Sequence, residues 1–265
     1  MNIFKRISEL SERNSPFVIA TVIKSEGSVP GKVGFKMLVE ANGDTLGTVG
    51  GGAIEQEAKE EAISLLSSGE NVIREYMLSD KATIAAENTK VLPMSCSGRV
   101  SIFFEVFGEK TTVYLFGGGH VGNSLLQFLK PLGYHTILID NRKEFAGAGK
   151  NPDASERVFS DYIEYAKTFN PNPGCYFVAM THGHQYDFEI VKTLLERKID
   201  AKYIGVIASK TKAAGIISKL RNEFGDNIDL SRLHTPIGLK IGGNSAIEIA
   251  LSISAQIQAV KYGKL

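Results

Sequence analysis

The sequence is short of cysteine: Cys96 and Cys175 are the only two in 265 residues. Two thiols cannot build a disulfide framework or a Cys-only zinc site, and they suit a reducing compartment. A surplus of charge is missing as well. Lys and Arg number 30 and Asp and Glu 29, a net charge of +1. That balance gives no electrostatic reason for a nucleic-acid partner, and there is no acidic tail. No stretch approaches the roughly 20 apolar residues of a membrane span. The opening residues, MNIFKRISEL, lack the continuous apolar run of a signal peptide. Ile3, Phe4, Ile7 and Leu10 fall instead on one helical face. A cytoplasmic protein with no membrane partner is the expectation. What remains is ordinary for a globular chain: 43% hydrophobic and 22% charged residues, enough to bury a sizeable core.

The length suits one large domain or two modest ones. A join near Gly108-Glu109-Lys110 separates residues 1–108 from residues 109–265. The first part reads as α+β. After the amphipathic helix come strands at FVIATVI and FKMLVE, then a tight turn at ANGD, where Asn42-Gly43 supplies positive φ angles. A helix rich in Glu and Ala follows GTVGGG, and RVSIFFEVF closes the part as a strand. The second part alternates. Strands at TVYLF, HTILID, CYFVAMT and YIGVIAS are separated by helical patterns at Val121–Leu129, Tyr186–Lys198 and Thr211–Phe224, with a last helix at Ser245–Tyr262. Alternation with continuous apolar strands predicts a doubly wound parallel sheet, a Rossmann-like domain. Asn141–Arg157 is the most loop-like stretch.

Several stretches carry chemistry. Gly117, Gly119 and Gly122 form G-x-G-x-x-G directly after a strand. The first glycine permits the turn, the second lets a phosphate approach, and the third lets helix and strand pack. The helix N-terminus then offers N–H groups to an anion. His120 lies inside this turn. Asp140 ends the next strand, where a ribose hydroxyl would be held, and Arg142 stands where a 2′-phosphate could be met. Gly50, Gly51 and Gly52 run into a second helix whose first turn carries Glu55 and Glu57, another possible anion cradle or an acid-capped turn. His182, His184 and Asp187, in THGHQYD, sit at a strand end, as metal ligands, as acid and base, as polar contacts to a ligand, or as structural loop histidines with an acid near a helix start. Ser209 and Lys210 could hold a phosphate or cap a helix. Ser245 and Glu248 fit a capping box. Cys96, in MSCSG, is a candidate reactive thiol, or a buried one.

Taken in order, GSVPGKVGFKMLV, GTVGGGAIEQEA, FGGGHVG, LIDNRKEFA, THGHQYD, YIGVIASKTKAA and PIGLKIGGNSAIEIALSISAQI resemble the XdhC/CoxI family over nearly the whole chain. The resemblance implies an accessory protein for xanthine dehydrogenase and related molybdenum hydroxylases. Such a protein would bind the molybdenum cofactor, as molybdopterin or its dinucleotide form, and assist its sulfuration and insertion. It also implies a homodimer and dealings with a cysteine desulfurase. Where the family's first glycine loop often carries Cys, this sequence has Ala53. Two other readings stand beside it. One is an NAD(P)-dependent oxidoreductase with His182 or His184 as acid and base. The other is a nucleotide-sensing regulatory protein.

Overall fold

A computed structural model describes residues 2–79, 89–94 and 97–265, with His184 in backbone only. The chain forms two compact units, Met1–Glu109 and Lys110–Leu265.

In the first unit, α1 (Ile3–Glu12) is capped by the Asn2 side chain. β1 (Phe17–Gly27), β2 (Lys36–Glu40), β3 (Thr45–Gly47), α2 (Gly52–Ser68), β4 (Val72–Ser79), β5 (Thr89–Pro93) and β6 (Gly98–Phe107) follow. The strands lie in the order β3-β2-β1-β6-β4-β5. Neighbours are antiparallel except β4 and β5. Side chains alternate across β1. Val18, Ala20 and Val22 pack with Ile54, Ala58, Ala62 and Leu65 of α2, whose spacing makes one helical stripe. Phe17 and Ile19 belong to a second cluster with Leu10 of α1.

The hairpin between β2 and β3 differs from its expected form. Only Gly43 has a positive φ, +85°. Its N–H donates to Glu40 O at 2.9 Å, and the Glu40 N–H donates to Asp44 O at 2.9 Å. This is the longer turn that ends in a left-handed glycine, so Asn42 is not called on to adopt that conformation. β4 and β5 escape the sequence reading because few of their residues are buried: Ile73, Arg74 and Glu75 of β4 are exposed and only Tyr76 and Leu78 buried, and in β5 only Leu92 is buried.

The second unit contains β7 (Thr112–Phe116), α3 (His120–Leu129), β8 (His135–Asp140), β9 (Glu156–Phe159), α4 (Tyr162–Thr168), β10 (Cys175–Ala179), α5 (His184–Glu196), β11 (Ala201–Val206), α6 (Lys210–Phe224), β12 (Leu233–His234) and α7 (Ala246–Lys261). Every strand pair in the order β12-β11-β10-β7-β8-β9 is parallel. All residues of β7 and β10 are buried, as strands covered on both faces must be. Tyr114, Phe116 and Phe177 meet Tyr162, Ile190 and Leu220 on one face. Val113, Leu115 and Val178 meet Leu125, Leu129 and Ile253 on the other. The Ser245–Glu248 capping box at the start of α7 is present, with both bonds made. The stretch read as loop, Asn141–Arg157, ends in β9, an edge strand of only four residues. From β7 the chain winds through β8 to β9, then returns to place β10 on β7's other side. That reversal makes the carboxyl ends of β7 and β10 the switch point, where open α/β sheets bind ligands.

Candidate functional site

The glycine turn closes β7 at the switch point. The Gly117 N–H donates to Ile139 O at 2.9 Å. Its φ is +110°, and a Cβ there would strike Met180 O and come within 3.2 Å of Thr181 Cα. A Cβ on Gly122 would strike Gly117 O. These two glycines are demanded by packing. Gly119 is not: its φ is −68°, open to any residue, and a Cβ there would meet nothing within 4 Å. Gly119 is also the N-cap of α3, with no side-chain cap bond. A residue that neither packing nor backbone requires to be glycine therefore faces open space at the positive end of a helix. His120, the first residue of α3, is exposed beside it.

Gly118 is fixed from behind. Its N–H donates to Asp140 Oδ2 at 2.8 Å, and its carbonyl accepts from Asn151 Nδ2 at 3.0 Å. Fully buried Asn151 also donates to Phe145 O at 2.6 Å and accepts from Asn123 Nδ2 at 3.2 Å. The apparent loop after β8 is thus folded onto the turn. Asn151 gave no signal in the sequence, because a lone Asn in a polar stretch has no period or motif.

Asp140 departs from its expected role. Its side chain is 0% exposed, against 33% for Arg142. Oδ1 accepts from the Arg142 N–H and Nε, both at 2.9 Å. Oδ2 accepts from the Gly118 N–H and from Arg142 Nη2, each at 2.8 Å. A carboxylate offers about four acceptor positions, and all are engaged, so none faces a ribose. Burial would raise the Asp140 pKa; the Arg142 guanidinium and the two N–H groups outweigh it and hold the carboxyl below its ordinary value.

The THGH turn follows β10 and abuts Gly117. Asp187 is 1% exposed, and its Oδ1 accepts from the Thr181 N–H at 2.9 Å. The Thr181 hydroxyl lies 2.8 Å from both Asp187 Oδ1 and Gly183 O, one of which takes its proton. Asp187 therefore braces the turn from inside, which removes it as an open metal ligand. His182 is exposed, its ring 5.5 Å from Tyr186 and 6.2 Å from Tyr162. His184 is the first residue of α5. Among the described residues no three His, Cys, Asp or Glu side chains converge on a metal position. Ser209 caps α6 by accepting from the Lys212 N–H at 3.3 Å. Exposed Lys210 opens that helix at the same sheet edge, one strand further from β7.

The first unit's glycine loop is closed on itself. The Gly50 N–H donates to Thr48 Oγ1 at 3.0 Å, and the Gly51 N–H to Glu55 Oε2 at 3.1 Å. The Thr48 hydroxyl donates to the same Glu55 oxygen. Glu55 is the loop's own anion, so Gly50 and Gly51 do not form the expected open cradle. Gly52 has a φ of +62°, with the Met94 methyl 3.2 Å from where its Cβ would stand. Cys96 lies outside the described residues. Cys175 is 2% exposed, and burial pushes its thiol pKa up to about 12, which makes it inert.

A parallel sheet, its switch point and a glycine turn opening a helix define a Rossmann domain joined to an α+β unit. Residues 113–257 match the XdhC Rossmann domain, and residues 10–77 match the XdhC and CoxI family. The chain belongs to that family. It is 29% identical to the uncharacterized protein YqeB of Escherichia coli, over 98% of this chain and 46% of YqeB. It thus spans about half the length of that relative. It is 21% identical to a probable xanthine dehydrogenase subunit of Bacillus subtilis, covering 97% of this chain and 96% of the other. A solved xanthine dehydrogenase from Bacillus halodurans shares the fold with a TM-score of 0.53, at 22% identity, over 100% of this chain and 97% of that one. No helix among the described residues is long and apolar enough to cross a membrane.

Proposed function

We propose that this chain is an accessory protein of a xanthine dehydrogenase-type molybdenum hydroxylase, holding the molybdenum cofactor by its phosphate at the 117–122 turn for insertion into the client. The observation that carries this reading is Gly119, open on its Cβ side at an uncapped helix start in the switch-point crevice. Family membership supplies the client class. The fit is good at the phosphate end, where the α3 N–H groups would donate and Asp140 and Asn151 keep the Gly118 peptide from moving. His182 would meet the polar edge of the heterocycle beside Tyr186. When bound, the cofactor supplies molybdenum and its dithiolene to the client's chemistry; this chain binds and orients. At the sulfur end the fit fails among the described residues: Ala53 carries no thiol and Cys175 is buried. An oxidoreductase reading is second, because it needs the ribose contact that Asp140 does not offer.

The test is the small molecule that the protein carries. The chain is expressed anaerobically with an intact cofactor pathway and extracted with acid, and the extract is identified by mass spectrometry. A phosphorylated pterin near one per chain, with molybdenum, is expected. A pterin-free protein would remove the reading.

A further inference from the structure

In Rossmann domains the acid that ends the second strand hydrogen-bonds the adenosine ribose, and an Arg nearby can instead receive a 2′-phosphate. Here both residue types are present, Asp140 and Arg142, but they are bound to each other. The guanidinium gives Nε and Nη2 to the two carboxylate oxygens, and its Cζ lies over the Phe145 ring, 3.9 Å from the centroid. This two-toothed pairing with stacking fixes a plane, not merely a charge. Phe145 O is in turn tied to Asn151, which holds Gly118. Tyr162, fully buried, stands against the same pair from α4; burial, then the Asp140 carboxylate, push its hydroxyl pKa up. The acid that would read a diol is spent, and the cation that would read a second phosphate is neutralised.

We propose that Arg142 closes the adenosine subsite of this domain, so that the turn takes its ligand through one phosphate ester and rejects adenine dinucleotides. This deepens the phosphate reading above and names the ligand class. It is a phosphorylated heterocycle with no ribose along the β8 edge, which favours a pterin monophosphate over its dinucleotide form. Arg142 is then a specificity residue whose work is to occupy Asp140.

The probes are NADH and NADPH, titrated by fluorescence and calorimetry into the full chain freed of any co-purified molecule. For the wild type, both should bind more weakly than about 1 mM. Arg142→Ala frees two acceptor positions on Asp140, and NADH affinity should rise at least about tenfold, the worth of one good polar contact. Phe145→Ala, which removes the stacking and lets the guanidinium swing out, should raise it less, and it stands in if Arg142→Ala does not fold. Micromolar binding of NADH or NADPH by the wild type would overturn the proposal. So would a folded Arg142→Ala protein whose NADH affinity is unchanged. These outcomes are separate from the pterin test: a pterin-free protein defeats the accessory reading alone, and tight NADH binding defeats this inference whatever pterin is found.

Discussion

The chain contains the run Gly-Gly-Gly before a helix twice, at residues 50–52 and 117–119, and the two runs have opposite fates. In the first, the carboxylate that satisfies the loop comes from the helix it opens. Glu55 reaches back to the Gly51 N–H and takes the Thr48 hydroxyl, so the cradle is filled from within. In the second, the carboxylate comes from the neighbouring strand. Asp140 takes the Gly118 N–H from behind, and the front of the helix stays uncapped. A glycine run before a helix is thus left open or closed on itself according to where its acid stands. A local acid fills it, and a tertiary acid braces it open.

The largest effects should come where the two loops are alike. Gly50 and Gly122 both lack room for a Cβ: at Gly50 it would lie 2.7 Å from Gly31 N, and at Gly122 it would strike Gly117 O. Gly50→Val and Gly122→Val should each cost about 2–4 kcal/mol in denaturant unfolding, from overpacking and, at Gly50, from its φ of +136°. A cost below about 1 kcal/mol in either would mean that the close packing is not needed.

Next comes the brace. Asp140→Ala leaves Arg142 and the Gly118 N–H without their partner and should cost about 3 kcal/mol. The sign of the pH dependence follows from the depressed pKa of Asp140. Its contribution is complete above the unfolded value of about 4 and is lost as pH falls through the lower folded value. Wild-type stability should carry that acid limb, and Asp140→Asn should flatten it; an unchanged limb would show that the pair is not formed.

The acid of the closed loop should matter less. Glu55→Ala should cost about 1 kcal/mol, a lost cap, and leave ligand content unchanged. The smallest effect on stability should have the reverse sign. Gly119→Asp places a good N-cap residue on α3 at a φ that it accepts, so stability should rise by about a few tenths of a kcal/mol. The new carboxylate would stand where the phosphate is proposed, and ligand should be lost. A residue whose improvement stabilises the fold and empties the site is the mark of a position kept for function.

Much of this fold is legible in the sequence, because short apolar runs such as TVYLF and CYFVAMT, alternating with helical patterns, read as parallel strands buried on both faces. The G-x-G-x-x-G turn and the Ser245–Glu248 box are legible for the same reason: each is a local pattern with a local cause. The contrast between the two glycine loops is not. Whether Asp140 faces a ligand or its own Arg142 is decided by a guanidinium two residues on and by the Phe145 ring beneath it, and no spacing rule ranks those outcomes. Asn151 is further still from local logic, since its partners, Gly118 and Asn123, lie 33 and 28 residues away. β4 was hidden by its solvent-facing charges.

The most direct measurement is ligand content across the pair of loops. Wild type, Glu55→Ala and Gly119→Asp are purified from cells with an intact molybdenum-cofactor pathway, and the acid-released pterin is quantified per folded chain. Wild type and Glu55→Ala should carry near one pterin phosphate each, and Gly119→Asp almost none while melting no lower than wild type. A Gly119→Asp protein as full of pterin as the wild type would contradict the account, since the open turn would then not be where the phosphate is held.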